Sequence, residues 1–137
     1  DLAWADCVFV SAMVIQRDSV RKVIRKCKAA GLTVVAGGPI FTNECDEFPE
    51  VDHFVLGEAE LVMSSFLDDF QAGKAGRFYK GDVFPDIKKT PAPLWNLLDM
   101  KRYASMSVQY SRGCPFNCEF CNVTALFGHK PRIKTAG

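Results

Sequence analysis

The chain has 137 residues, of which 48% are hydrophobic, and its formal net charge at pH 7 is +1. This length suffices for one domain with a hydrophobic core, or for one domain and part of another, and the composition excludes a wholly disordered chain. The near-neutral charge argues against dedicated nucleic-acid binding, and the lack of any run of about 18 apolar residues argues against a membrane span.

Short apolar runs alternate with amphipathic segments over the first 72 residues. Strands are predicted at 6–11, 32–36 and 53–56, and helices at 18–30 and 58–72. The predicted inward faces of the helices carry Val20, Val23, Ile24, Cys27 and Ala30, and Val62, Met63, Phe66, Leu67 and Phe70. This alternation predicts an α/β fold with a parallel, flavodoxin-like or Rossmann-like sheet. Three strands are fewer than the roughly five of a complete domain of this kind, so the sheet is expected to be incomplete.

The sequence changes character after the second predicted helix. Glycines and prolines punctuate residues 73–97, which indicates a linker with one short strand at 77–80. A short helix at 99–103 and a strand at 105–111 are predicted to follow. We therefore assign residues 1–75 to an α/β domain, 76–104 to a linker region and 105–137 to the start of a second domain.

The two ends of the sequence suggest a piece of a longer protein. It begins at Asp1, in the approach to a strand, and stops at Gly137, directly after a motif-rich stretch. No secretion leader opens it, so we expect a soluble, cytoplasmic protein. A truncated sheet would expose an edge and an apolar face, which predicts a homodimer or strand exchange in solution.

Three of the six cysteines lie within eight residues. Cys114, Cys118 and Cys121 form a C-x3-C-x2-C array, whereas the other three are scattered. In a protein without secretion signals such a cluster indicates metal ligands rather than disulfides. Soft thiolates suit iron–sulfur clusters, and three of them leave one iron of a [4Fe–4S] cluster open to an outside ligand.

Two other interpretations of the array stay open. His129 could complete a zinc site of the pattern C-x3-C-x2-C-x7-H, although zinc sites more often combine two separate pairs of ligands. The chain would then be a zinc-binding regulatory module. Alternatively the cysteines are structural thiols in a cofactor-free α/β interaction domain. A ferredoxin-type carrier would need a fourth cysteine, and none follows Cys121.

The segment 110–121, which reads YSRGCPFNCEFC, resembles the signature of radical S-adenosylmethionine (SAM) enzymes. The resemblance covers the three cysteines, the preceding Gly113 and the aromatic Phe120. It implies that the cysteines hold a [4Fe–4S] cluster, whose open iron binds SAM and whose electron cleaves it to a 5′-deoxyadenosyl radical. It also implies that Phe120 lies beside the adenine, although this side chain could instead be a core aromatic beneath the loop.

The preceding 100 residues are similar to the cobalamin-binding domain found before the catalytic barrel in one radical SAM subfamily. Ser11 follows the first strand, Gly37 and Gly38 follow the second, and Gly57 and Glu58 open a helix. The resemblance implies that these five residues face cobalamin. The cobalamin-ligating D-x-H-x-x-G pattern of the family is absent, so cobalamin binding by this chain stays open.

Taken together, the resemblance implies a fragment of an iron–sulfur oxidoreductase or a cobalamin-dependent methyltransferase. The fragment would contain most of the α/β sheet, the linker, and the first strand and cluster loop of the radical SAM barrel. The parent enzyme would need an electron donor of flavodoxin or ferredoxin type. The isolated chain is expected to be inactive, because the remaining SAM-binding strands would follow residue 137.

Overall fold

The computed structural model describes residues 2–135, which divide after Pro85 into two compact units. The first unit contains β1 (Cys7–Ser11), α1 (Arg17–Ala29), β2 (Thr33–Gly37), α2 (Pro39–Glu44), β3 (His53–Leu56), α3 (Met63–Gln71) and β4 (Phe78–Lys80). The second contains β5 (Ser111–Arg112), α4 (Val123–Phe127) and β6 (Arg132–Ile133). Within the described residues, no helix combines the length and apolarity that crossing a membrane requires.

The first unit is built on a parallel sheet with strand order β1-β2-β3-β4. Ser11 of β1 lies opposite Gly37 of β2, and Gly37 lies opposite Val55 of β3. The predicted α/β class with a parallel sheet is therefore confirmed. Because parallel strands end at the same edge, the loops that follow β1, β2 and β3 meet there.

Helices α1 and α2 cover one face of this sheet. Val20, Ile24 and Cys27 of α1 are buried, because spacings of three and four residues place them on one side of the helix. The core on this face also buries strand residues and three aromatic rings: Val34, Ala36, Leu56, Phe41, Phe48 and Phe54. Val23 was expected to point inward but is 43% exposed, because it lies at the margin of the stripe that the sheet covers.

Helix α3 packs on the opposite face. Phe66 is fully buried there against Val35 and Val55. The single turn at Ala59–Leu61 precedes α3, so the helix predicted at 58–72 is interrupted near its start. Leu67 was expected to point inward but is 39% exposed, because α3 presents only a narrow stripe to the sheet.

Strand β4 extends the sheet beyond its predicted limit. It pairs in parallel with β3, and Phe78 stacks on Phe54 with ring centroids 5.3 Å apart. The predicted strand at 77–80 therefore belongs to the sheet, although it lies in the 76–104 range assigned to a linker. The first unit continues to Pro85 because these pairings hold the chain against β3.

The second unit contains few regular elements. Between residues 86 and 135 its single helical turns are Ile87–Lys89, Trp95–Leu97 and Met100–Arg102. The strand expected at 105–111 is not formed: only Ser111 and Arg112 pair, and they pair antiparallel with β6. Tyr110 O accepts the N–H of Lys134 at 2.9 Å, but the alternation over 105–109 has no sheet partner in the described residues, and the barrel strand implied by the resemblance is not seen there.

Asp52 anchors the amino ends of β2 and β3. Its carboxylate accepts hydrogen bonds from Lys28 Nζ at 2.6 and 2.8 Å and from the backbone N–H of Val34 at 2.8 Å. Partial burial opposes ionisation, but the bonds from Lys28 and Val34 outweigh it and lower the pKa of Asp52 below its ordinary value. The folded state is thus stabilised by the ionised form of this side chain.

We expect the substitution Asp52→Asn to reduce the free energy of unfolding by about 1–2 kcal/mol at pH 7, since it removes a charge-assisted bond to Lys28. The stabilisation is complete above the ordinary pKa of about 3.9 and is lost as the pH falls through the lower folded value. The difference between wild type and variant in urea unfolding should therefore shrink below pH of about 4. Asp82→Asn, which neutralises an exposed carboxylate, is the control and should leave the free energy of unfolding close to that of wild type. A pH-independent difference would contradict this role.

Candidate functional site

A groove of about 210 Å³ lies at the carboxyl edge of the first unit's sheet. Four predicted site residues line it: Ser11, Gly37, Gly38 and Gly57. Glu58 was predicted with them, but it stands between the lining residues Gly57 and Ala59 and does not itself line the groove. The structure thus brings together residues from three separate strand ends.

Two glycines allow the strand ends to approach closely. A Cβ atom on Gly37 would lie 2.7 Å from the carbonyl oxygen of Val55, closer than such atoms approach. Gly38 has a φ of +86°, and a Cβ there would collide with the hydroxyl of Ser11. A side chain at Gly37 would require a backbone shift, and a side chain at Gly38 would be strained by the positive φ, so the pair Gly37-Gly38 sets the spacing of the loops.

Thr42 is a further residue of this edge that the sequence did not predict. Its hydroxyl donates to the carbonyl oxygen of Gly38 at 2.9 Å and accepts from the N–H of Gly57 at 3.0 Å. Thr42 lies on α2, a helix that was also not predicted. Pro39 at the first helical position, directly after a glycine, is a helix-start signal that could have revealed it.

The groove is lined mostly by apolar atoms. Phe9, Val35, Val55 and Met63 contribute side chains, and none of the lining side chains is ionisable. The hydroxyl of Ser11 and the backbone of the glycine loops supply the polar groups. Such a lining suits an uncharged ring with a few hydrogen-bonding atoms.

The cysteine array lies in the second unit, on the loop between β5 and α4. The N–H of Cys114 donates to Gly128 O at 3.1 Å, and the N–H of Cys121 donates to Cys118 O at 3.0 Å. Gly113 has a φ of +89°, and a Cβ on it would lie 2.6 Å from the carbonyl oxygen of Lys130. Close backbone packing thus holds the two ends of the loop together, and only glycine fits at its start.

The three thiols are free and accessible. Cys118 is exposed, and Cys114 and Cys121 are half-buried. Among residues 2–135, no three His, Cys, Asp or Glu side chains are grouped so that they could hold a metal ion. A [4Fe–4S] cluster makes a different demand, since each thiolate binds its own iron. The donor set, three soft thiols on one open loop without a fourth, fits such a cluster by its chemistry.

Phe120, beside Cys121, is 93% exposed. It is therefore not a core aromatic beneath the loop in this structure. Phe116 is also exposed, so two aromatic rings flank Cys118 on the same open loop. Exposed aromatic faces on the loop of the cysteine array are available to stack on a planar ligand.

The two histidines have different surroundings. The Nδ1 of His53 donates to the carbonyl oxygen of Gly76 at 2.7 Å, and its ring packs against Phe66 and Phe70. These contacts hold His53 in the packing between β3 and α3. His129 is exposed.

Comparison with known proteins gives relatives along nearly the whole chain. A protein of Synechocystis named as an uncharacterized methyltransferase is 41% identical over 96% of this chain and 25% of its own length. The hopanoid C-2 methylase of Rhodopseudomonas palustris is 34% identical over 98% of this chain and 26% of its own length. The chain is homologous to a segment of enzymes named as methyltransferases.

A more distant relative has a similar name. The bacteriochlorophyllide d C-8(2)-methyltransferase of Chlorobaculum tepidum is 27% identical over 94% of this chain and 30% of its own length. No protein-family model matches the chain. The chain spans about a quarter to a third of the length of these relatives, and the shared segment includes both the groove and the cysteine loop.

We expect the substitution Gly37→Ala to lower the free energy of unfolding by about 1–3 kcal/mol, because the new methyl group forces β2 and β3 apart at the groove. Chemical denaturation measures this loss. Gly76→Ala is the matched control, since a Cβ there meets only the Tyr79 hydroxyl, at 4.0 Å. Equal stability of the two variants would show that the close approach at Gly37 imposes no constraint.

Proposed function

We propose that the parent protein is a radical SAM methyltransferase and that this chain supplies its cluster loop and part of a cobalamin-binding domain. The observation that carries the proposal is the C-x3-C-x2-C array on an open loop, within a chain that is similar along 96% of its length to a named methyltransferase. The names of the relatives support methyl transfer. The three-thiol donor set supports the iron–sulfur chemistry.

In this proposal Cys114, Cys118 and Cys121 hold a [4Fe–4S] cluster. When bound, the cluster supplies the electron that cleaves SAM, and a flavodoxin or ferredoxin replaces that electron. Phe120 offers its exposed ring to the adenine of SAM. Gly113 turns the chain sharply into the loop, so the first thiol follows directly on the β5–β6 pair.

The groove of the first unit is proposed to hold the nucleotide tail of cobalamin. Its apolar lining suits the benzimidazole ring of the tail, and Gly37 and Gly38 leave the backbone open to the ligand. Ser11 adds a hydroxyl at the mouth. The chain lacks the D-x-H-x-x-G pattern, so no histidine of that pattern is available to ligate the cobalt.

Anaerobic reconstitution with iron and sulfide tests the cluster. We expect the wild-type chain to bind about four irons and four acid-labile sulfides, with absorption and paramagnetic spectra of a [4Fe–4S] cluster that change when SAM is added. Cys118→Ala removes one of the three thiolates and should abolish most of this signal.

Cys45→Ala is the matched control, because Cys45 is a free thiol of the first unit outside the array. It should reconstitute like wild type. Zinc without iron or sulfide would instead support the zinc-binding module. Equal iron loss in both cysteine variants would show that the array is not the ligand set.

The first unit is also proposed to form a homodimer through β1. This strand lies at the end of the sheet, and Phe9 on its α3 side is 52% exposed. Edge strands with unpaired backbone groups and exposed apolar side chains associate readily. Static light scattering should give about twice the 15.2 kDa chain mass at high protein concentration. A mass of 15.2 kDa at every concentration would contradict the dimer.

A further inference from the structure

One side chain ties together the loops that form the groove. The Thr42 hydroxyl bonds to Gly38, which follows β2, and to Gly57, which follows β3. We infer that Thr42 is a positioning residue for the groove, which sets the place of the Gly57 loop for the nucleotide tail of cobalamin. The inference rests on the proposed function of the groove, and it goes further by naming a residue that does not line the groove.

Thr42 is itself held firmly by the fold. Its neighbours on α2, Ile40 and Phe41, are fully buried, and the N–H of Ile40 donates to Ala12 O at 3.2 Å. Helix α2 is thereby fixed both to the core and to the loop that follows β1. A hydroxyl on such a helix can define the position of a neighbouring loop, because the close-packed core keeps the helix itself in place.

The two glycines that Thr42 contacts have no side chains of their own to hold them. Both have positive φ, +86° at Gly38 and +76° at Gly57, and each stands at the start of a groove loop. Glycine backbone has a wider conformational range than that of other residues, so hydrogen bonds are the contacts that can restrain it here. The Thr42 hydroxyl provides that restraint to both.

The two restraints differ in one respect that makes the inference testable. Gly38 is held twice, because its carbonyl oxygen also accepts the backbone N–H of Thr42 at 3.0 Å. The N–H of Gly57 donates to the Thr42 hydroxyl. Thr42→Val keeps the shape and the backbone bond to Gly38 but removes the bond to Gly57. The effect of the substitution should therefore fall on the Gly57 loop.

The first measurement is amide hydrogen exchange, by NMR, on the ligand-free chain. In Thr42→Val we expect the Gly57 amide to exchange at least about tenfold faster, while the Ile40 amide keeps its wild-type rate. Thr42→Ser, which retains the hydroxyl, should restore slow exchange at Gly57. Thr33→Val, a threonine on β2, is the control for the loss of a hydroxyl elsewhere in the same unit.

The second measurement is calorimetric titration with hydroxocobalamin and with cobinamide, which lacks the nucleotide tail. Thr42→Val should weaken hydroxocobalamin binding about tenfold, whereas Thr42→Ser and Thr33→Val should stay within about threefold of wild type. Cobinamide affinity should be the same for wild type and Thr42→Val, because no tail enters the groove.

The outcomes separate the inference from the function on which it rests. If wild type binds hydroxocobalamin and Thr42→Val binds it equally well, the positioning role is overturned and the groove's function stands. If wild type binds no hydroxocobalamin, the cobalamin proposal fails for this chain. The exchange rate of the Gly57 amide then shows by itself whether Thr42 restrains Gly57. A uniform rise in exchange across the sheet in Thr42→Val would indicate general destabilisation and would overturn the inference.

Discussion

The parallel register of β1, β2 and β3 is the constraint on which the groove depends. It places Ser11 opposite Gly37 and Gly37 opposite Val55. The loops that follow β1, β2 and β3 therefore leave the same edge of the sheet side by side. Gly37 lets this happen, because any side chain would meet the Val55 carbonyl. A slip of one residue would place Ala36, which has a Cβ, where Gly37 now meets Val55, so this close approach helps to fix the register.

The two faces of the sheet contribute differently to the site. The face under α1 and α2 buries a group of aromatic rings, with Phe41 and Phe48 at a centroid distance of 4.8 Å. This dense core makes α2 a firm support, from which Thr42 reaches the groove loops. The face under α3 is covered less completely, and Phe9 at its margin is half exposed. The groove lies on this thinner side, and Phe9 and Met63 are among the residues that line it.

The cysteine loop follows a different principle. Backbone contacts close its two ends, through Cys114 with Gly128 and through Gly113 with Lys130, while its middle stays open. The thiols of the array are exposed or half-buried, so no buried core dictates where they point. The three thiols distinguish this loop from an ordinary connection between strands. A bound cluster would stabilise the ordered conformation of the loop.

The sequence alone determined the features that arise from local pattern. Periodicity gave the strands of the first unit and the buried stripe of α1, and spacing singled out Cys114, Cys118 and Cys121. Only the tertiary structure decided that residues 78–80 join the sheet while 105–110 form no strand, since a strand needs a partner from elsewhere in the chain. Tertiary structure also decided the role of Thr42, because its two partners lie 4 and 15 residues away and meet only when β2 and β3 pair.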